Sequence, residues 1–257
     1  MSLLKRAPLL HCCHTKNEGP FSMSQSNTWL FGHHAVKAAL KSARRKTFEI
    51  LATKQHEDEY KDLAKTAGLK LQIVDRQRLD KMTQQPHQGV ALKVGNLPQV
   101  NVKDLYDADL LLMLDQVTDS HNVGACLRSA NAFGCKGVIV PTAHSSKDSP
   151  IIAKASAGAF EDTPLVAVAN LAQTLENLKK EGFWVVGLDG YANQTLDSVD
   201  MGGKIIIVMG SEGDGLRDLI KKKCDFLAKL PMRGSVESLN VSVAAGISLY
   251  EARRPKK

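Results

Sequence analysis

The chain has 257 residues, a length that fits one large domain or two small ones. Hydrophobic residues make up 43% of it, which is enough for a buried core and excludes a disordered chain. No stretch approaches the roughly 18 consecutive apolar residues of a membrane helix, which indicates a soluble protein. The net charge of +7 favours an anionic partner such as nucleic acid, but a basic enzyme without such a partner has the same charge.

The five cysteines have no repeated spacing and do not form a disulfide framework, so we expect a reducing, cytoplasmic location. The cysteines are Cys12, Cys13, Cys126, Cys135 and Cys224. The run His11–His14 (HCCH) has metal-ligand residue types but lacks the spacing of zinc sites, so we expect no metal site.

Residues 1–26 have no sustained periodicity and mix Lys, Pro, Gly and Ser. This composition predicts a disordered N-terminal extension. Met23 is an alternative initiator, because patterned sequence begins just after it.

Residues 27–95 predict a small α/β domain, followed by a linker at 96–107 that is rich in turn-forming residues. The predicted helices are His33–Arg45, Tyr60–Ala67 and Arg76–Gln84, and the predicted strands are Thr47–Ala52, Leu69–Val74 and Gly89–Val94.

Residues 108–257 predict a second α/β domain, because strands alternate with helices as in a mostly parallel sheet covered on both faces. The predicted strands are Leu110–Leu114, Gly137–Val140, Leu165–Ala169, Phe183–Leu188, Lys204–Met209 and Asp225–Leu230. The predicted helices are Val123–Phe133, one beginning at Ser149-Pro150, Leu171–Lys180, Leu216–Lys223 and about Asn240–Ala252.

Three segments hold polar residues that core packing does not require: DQVTDSHNVGACLR (115–128), MGSEGDGL (209–216) and LPMRGSVESLNVS (230–242). Each lies at or just past the end of a predicted strand, the edge at which open α/β sheets bind ligands.

Each segment also has a purely structural interpretation. Asn122 suits a helix N-cap. Arg128 suits a solvated or ion-paired surface position. The glycine order G-x-x-G-x-G differs from the dinucleotide fingerprint G-x-G-x-x-G, which disfavours a nicotinamide or flavin oxidoreductase. Either Ser238 or Asn240 is expected to cap the last helix, and capping does not require both.

Taken together and in this order, the three segments resemble motifs 1, 2 and 3 of the SpoU (TrmH) class of RNA ribose 2′-O-methyltransferases. KASAGAFEDTPL (154–165) resembles the middle segment of that family. FGHHAVKAAL and PHQGVAL lie in residues 27–95, which we call the front unit. They resemble the L30e-like substrate-binding domain of the subgroup that acts on 23S rRNA.

The resemblance implies a C-terminal trefoil-knot (SPOUT) methyltransferase domain, a homodimer, and S-adenosyl-L-methionine as the cofactor. It places Leu188, Gly210, Leu230 and Leu239 in the cofactor pocket. It assigns the active-site roles to Asn122, Arg128, Glu212, Ser238 and Asn240.

The favoured function is therefore S-adenosylmethionine-dependent 2′-O-methylation of a guanosine in 23S rRNA. The same reaction on tRNA is the nearest alternative, and a non-catalytic RNA-binding protein is a further one. The sequence does not identify the general base or the target nucleotide. We expect RNA and a second copy of the chain as partners, and neither a membrane nor a metal.

Overall fold

The computed structural model describes residues 27–142 and 149–255, and the expected N-terminal extension lies outside them. The described chain forms two sheets, one of four strands and one of seven. None of the described helices is long and apolar enough to cross a membrane.

The front sheet has the order β1-β4-β2-β3, in which β4 pairs antiparallel with both β1 and β2, and β2 pairs parallel with β3. The strands are β1 (Thr28–Phe31), β2 (Thr47–Ala52), β3 (Leu71–Ile73) and β4 (Val90–Val94). The helices are α1 (His33–Lys41), α2 (Glu57–Thr66) and α3 (Arg76–Asp80).

Several predicted boundaries in this unit were wrong. Helix α1 ends at Lys41 because Ser42 is extended and its hydroxyl accepts the Arg44 N–H. Helix α2 begins at Glu57, three residues before its predicted start, because acidic side chains favour a first helical turn. The first strand, β1, was not predicted.

The second sheet has the order β7-β6-β5-β10-β8-β11-β9, and every pair is parallel, as predicted. The strands are β5 (Leu110–Leu114), β6 (Val138–Pro141), β7 (Leu165–Val168), β8 (Phe183–Leu188), β9 (Gln194–Thr195), β10 (Lys204–Met209) and β11 (Phe226–Lys229). The helices are α4 (Ser120–Ala132), α5 (Pro150–Ala155), α6 (Leu171–Lys180), α7 (Asp218–Lys221) and α8 (Val241–Arg253).

Strand β5 shows why the parallel sheet forms. All five of its residues are buried, and alternate side chains enter different cores. Leu112 belongs to one hydrophobic cluster and Leu111 to another, on opposite faces of the sheet. A continuous apolar run fits this double burial, which an alternating strand does not.

The two units pack directly against each other, so residues 96–107 are not a free tether. The side chains of Arg45 and Glu161 form a buried ion pair between the units, with Nε 2.9 Å from Oε1 and 3.0 Å from Oε2. Arg44 adds a bond to the Glu161 carbonyl. At Gly158, with φ of +95°, an added Cβ would lie 2.6 Å from Ala38 Cβ on helix α1. The relative position of the two units is therefore fixed by side-chain packing.

Candidate active site

The polar segments converge at one edge of the second sheet. Strands β5, β10, β8 and β11 are consecutive neighbours and all parallel, so their carboxyl ends share that edge. The loops that leave β5, β10 and β11 carry the three sequence motifs. The topology thus brings together residues that lie about 100 positions apart in the chain.

At this edge Asn122, Glu212 and Asn240 form one hydrogen-bonded cluster, which we call the Asn–Glu–Asn cluster. Asn240 Nδ2 donates to Glu212 Oε1 at 2.7 Å and to Asn122 Oδ1 at 3.0 Å. Asn122 Nδ2 lies 3.5 Å from the same Glu212 oxygen. One residue from each motif therefore contributes to a single arrangement.

The structure excludes the capping interpretation of Asn122. The N-cap of α4 is Asp119, whose Oδ1 accepts the His121 N–H at 2.9 Å. Asn122 lies inside the first turn, so its side chain is available to the cluster.

Asn240 has both roles. Its Oδ1 caps α8 by accepting the Ser242 N–H at 2.9 Å, while its Nδ2 serves the cluster.

Glu212 connects the glycine-rich turn to the start of α8. Its Oε1 also accepts the Val241 backbone N–H at 3.1 Å, at the first residue of that helix. The positive end of a helix dipole stabilises a carboxylate there. Glu212 thus orders the loop after β10 against the loop before α8.

The sequence motifs gave no role to Asp115 and Arg217, which fasten the same turn to β5. The fully buried Asp115 carboxylate accepts the Arg217 backbone N–H at 3.1 Å and its Nε at 2.8 Å. A second guanidinium nitrogen lies 2.6 Å from the carboxylate. A charged residue directly after an apolar strand was the available signal.

The four residues expected in the cofactor pocket lie where a ligand can reach them. Leu188 ends β8, Gly210 follows β10 and Leu230 follows β11, on three adjacent strands. These three and Leu239 are all half-buried.

A polar group next to them also lacks a partner. The Ser211 hydroxyl oxygen is buried and has no hydrogen-bond partner among the described residues. A buried hydroxyl without a partner, beside half-buried leucines at the carboxyl ends of the strands, is compatible with a site that an amphipathic cofactor completes.

Gly210 is required by the turn itself. A Cβ there would lie 2.1 Å from the carbonyl carbon of Gly215, which pairs with Ser211 through two 3.1 Å backbone bonds. No real Cβ tolerates that approach, so any side chain at Gly210 reshapes the turn.

Arg128 and Ser238 lie outside the hydrogen-bonded cluster. Both are exposed, and neither side chain has a hydrogen-bond or ion-pair partner within the described parts of the chain. Arg128 lies six residues beyond Asn122 on α4 and lines a groove of about 540 Å³ between α4 and α8.

This chain belongs to the SpoU rRNA methylase family, since that family model matches residues 109–250. A second family model, described as RNA 2′-O ribose methyltransferase substrate binding, matches residues 29–100.

The chain is 42% identical over 239 residues to the 23S rRNA (guanosine-2′-O-)-methyltransferase RlmB of Coxiella burnetii, covering 89% of this chain and 96% of the relative.

Among solved structures, the fold resembles the SpoU methyltransferase AviRb of Streptomyces viridochromogenes in complex with AdoMet. The TM-score is 0.76 at 22% identity, covering 88% of this chain and 89% of that one. The TrmH/SpoU tRNA-modifying enzyme of A. aeolicus is 30% identical, with a TM-score of 0.53, covering 59% of this chain and 80% of that one. The SPOUT methyltransferase fold is thereby confirmed, and the trefoil knot stays a prediction.

Proposed function

We propose that this protein transfers a methyl group from S-adenosylmethionine to the ribose 2′-oxygen of a guanosine in 23S rRNA, in the cytoplasm. The observation that carries the proposal is the Asn–Glu–Asn cluster. It joins the three motifs at the edge where Leu188, Gly210 and Leu230 lie. The near full-length match to RlmB supports the choice of substrate.

The bound cofactor supplies an electrophilic methyl group, and the task of the protein is to align the 2′-oxygen with it. Such positioning contributes several kcal/mol to a displacement reaction. The cluster suits this task because each of its side chains is held by at least two hydrogen bonds. Rigid amides next to the pocket provide donors and acceptors for the ribose.

Arg128 is assigned to the RNA phosphate next to the target ribose. Its guanidinium is exposed and has no protein partner among the described residues, so it is available to an anion. A guanidinium binds phosphate through two parallel hydrogen bonds. It hardly deprotonates, so we give Arg128 no role as the general base.

The share of this chain that each relative covers favours rRNA over tRNA as the substrate. The A. aeolicus tRNA-modifying enzyme covers 59% of this chain, about the share that residues 108–257 make up. RlmB of Coxiella burnetii covers 89%, so its match includes the front unit. We therefore assign RNA selection to residues 27–95 and methyl transfer to residues 108–257. The Arg45–Glu161 pair holds the RNA-selecting unit in a fixed relation to the site.

The active form is proposed to be a homodimer that buries one face of α8. Val243, Ile247 and Tyr250 follow a helical spacing, and all three are at least 43% exposed. Phe133, the residue that follows α4, contacts Tyr250 edge-on and extends this apolar stripe. Ile247→Glu places a charge in the stripe. We expect sedimentation of the wild type as a dimer and of the variant as a monomer, and a monomeric wild type would refute the assignment.

The decisive test of the function is a methylation reaction with labelled S-adenosylmethionine, offered 23S rRNA and tRNA separately. Digestion to nucleosides and mass spectrometry should show 2′-O-methylguanosine from 23S rRNA alone. Label on tRNA alone would establish the alternative substrate, and label on a base would refute ribose chemistry. No incorporation into either RNA, with the cofactor still bound, would favour a non-catalytic RNA-binding protein.

A further inference from the structure

Three side chains with metal-ligating atoms converge on the front unit. They are His33 in the first turn of α1, His56 in the short turn before α2, and Glu59 in the first turn of α2. Their donor atoms all lie within 4.8 Å of one another. Glu59 Oε2 is 3.2 Å from His56 Nδ1 and 3.6 Å from His33 Nδ1.

The two separations from Glu59 Oε2 fit the geometry of zinc. A tetrahedral ion with ligand bonds of about 2.0–2.1 Å holds neighbouring ligand atoms about 3.3 Å apart. The two measured distances lie on either side of that value. The histidine rings lie edge to face with centroids 4.6 Å apart, and each offers a ligand atom within 4.8 Å of the other two ligand atoms.

A neighbouring lysine and partial burial also favour metal binding by these three side chains. Lys37 Nζ holds the other carboxylate oxygen, Oε1, at 2.5 Å and leaves Oε2 facing the histidines. Both imidazoles are largely buried, with 24% and 20% of their side chains exposed.

We propose that His33 Nδ1, His56 Nδ1 and Glu59 Oε2 bind a zinc-class divalent ion, with the fourth position left to water. The ion would join α1 to α2 and so brace the front unit. This inference is independent of the methyl-transfer proposal, and it reverses the sequence-based expectation of no metal.

The Tyr60 hydroxyl would compete with a metal ion for His33 Nδ1, and this competition can be measured. Its buried hydroxyl lies 2.8 Å from His33 Nδ1, and burial raises its pKa, so it remains a protonated donor to that nitrogen. Binding of the ion must break this bond. Removing the bond with Tyr60→Phe should therefore tighten binding about fivefold, the value of an ordinary hydrogen bond.

The test uses Co²⁺ as the spectroscopic probe, followed by Zn²⁺ displacement. The protein is full length with His11, Cys12, Cys13 and His14 replaced by serine, because that run has metal-ligand residue types of its own. One equivalent of Co²⁺ should give the visible absorption of a tetrahedral site, and Zn²⁺ should abolish it. His34→Ala is the matched control, since His34 is the exposed neighbour of His33 outside the cluster.

His33→Ala and His56→Ala should each weaken Co²⁺ binding at least tenfold while His34→Ala leaves it unchanged. Circular dichroism verifies that each variant is folded. The proposal is overturned if the wild-type cluster takes up no Co²⁺ or Zn²⁺, or if the two histidine variants bind as well as the control. Weaker binding by Tyr60→Phe would also contradict the assigned nitrogen.

Discussion

The buried ion pair between the two units makes a quantitative prediction for Glu161→Gln. Glutamine keeps the size of the side chain and one oxygen that can accept from Arg45 Nε. The substitution therefore removes the charge with little change in packing. Because the two side chains are 0% and 3% exposed, water cannot compensate for the loss.

At a separation of 2.9 Å the attraction is about 6 kcal/mol for an effective dielectric constant near 20. Burial nevertheless raises the pKa of Glu161 against the opposing effect of Arg45, so desolvation of the carboxylate outweighs that attraction. Removing one partner of a buried pair leaves the other charge uncompensated and costs about 3–5 kcal/mol. We expect that loss here, because the bond from Arg45 to the Gly95 carbonyl, at 3.1 Å, keeps the guanidinium charge buried after Glu161 is replaced.

The two tryptophans of the chain provide the assay, because Trp29 lies in the front unit and Trp184 in the second. Urea unfolding of Trp29→Phe and Trp184→Phe backgrounds follows each unit separately. Glu161→Gln should lower stability by about 3–5 kcal/mol and separate two transitions that coincide in the wild type.

Two further variants test the reasoning. Exposed Glu181→Gln is the control and should stay within about 0.5 kcal/mol of the wild type. Arg45→Met with Glu161→Leu should restore most of the lost stability, because an apolar pair needs no compensation. A loss below about 1 kcal/mol in Glu161→Gln, or no recovery in the double variant, would refute a coupling ion pair.

Three other outcomes follow from the structure. Arg128→Lys should keep cofactor affinity but lose at least ~10²-fold in single-turnover methylation, because lysine cannot form the two-bond phosphate contact. Asn240→Ala should cost about 1 kcal/mol in thermal unfolding through loss of the α8 cap, and should also impair transfer. Hydrogen bonds from Arg253 lower the pKa of Asp109. The pair therefore stabilises the fold at pH values above the ordinary aspartate pKa of about 3.9. That stability is lost as pH falls through the lowered pKa, and Asp109→Asn should flatten the acid limb of melting temperature against pH.

Continuous apolar runs were the most reliable sequence signal. Leu110–Leu114 and Lys204–Met209 form strands with the predicted ends, because both are buried inside the parallel sheet and are bounded by polar or glycine residues. Strand β1 was missed because it has four residues and depends on pairing with β4, more than 60 positions later. Local patterns do not contain such pairings.

The sequence could nominate a set of candidate site residues, but it could not give the contacts among them. The resemblance named Asn122, Glu212 and Asn240, but spacing alone left helix capping open for the two asparagines. The structure resolves the ambiguity because Asp119 caps α4. The Asp115–Arg217 pair joins residues 102 positions apart and has no local signature.

The structure gives Gly210 a physical reason other than the one that the sequence suggests. Because the resemblance places Gly210 in the cofactor pocket, Gly210→Val is expected to block the cofactor. The structure places the turn's own backbone where the valine side chain would go, so loss of binding would not locate the pocket. Ser211→Ala separates the two effects. The free protein should unfold no earlier than the wild type, because the buried hydroxyl has no partner among the described residues. Calorimetric titration with S-adenosylmethionine should show binding weakened about tenfold, the upper value of one lost hydrogen bond. Unchanged affinity in a fully stable Ser211→Ala would show that the hydroxyl does not face the cofactor.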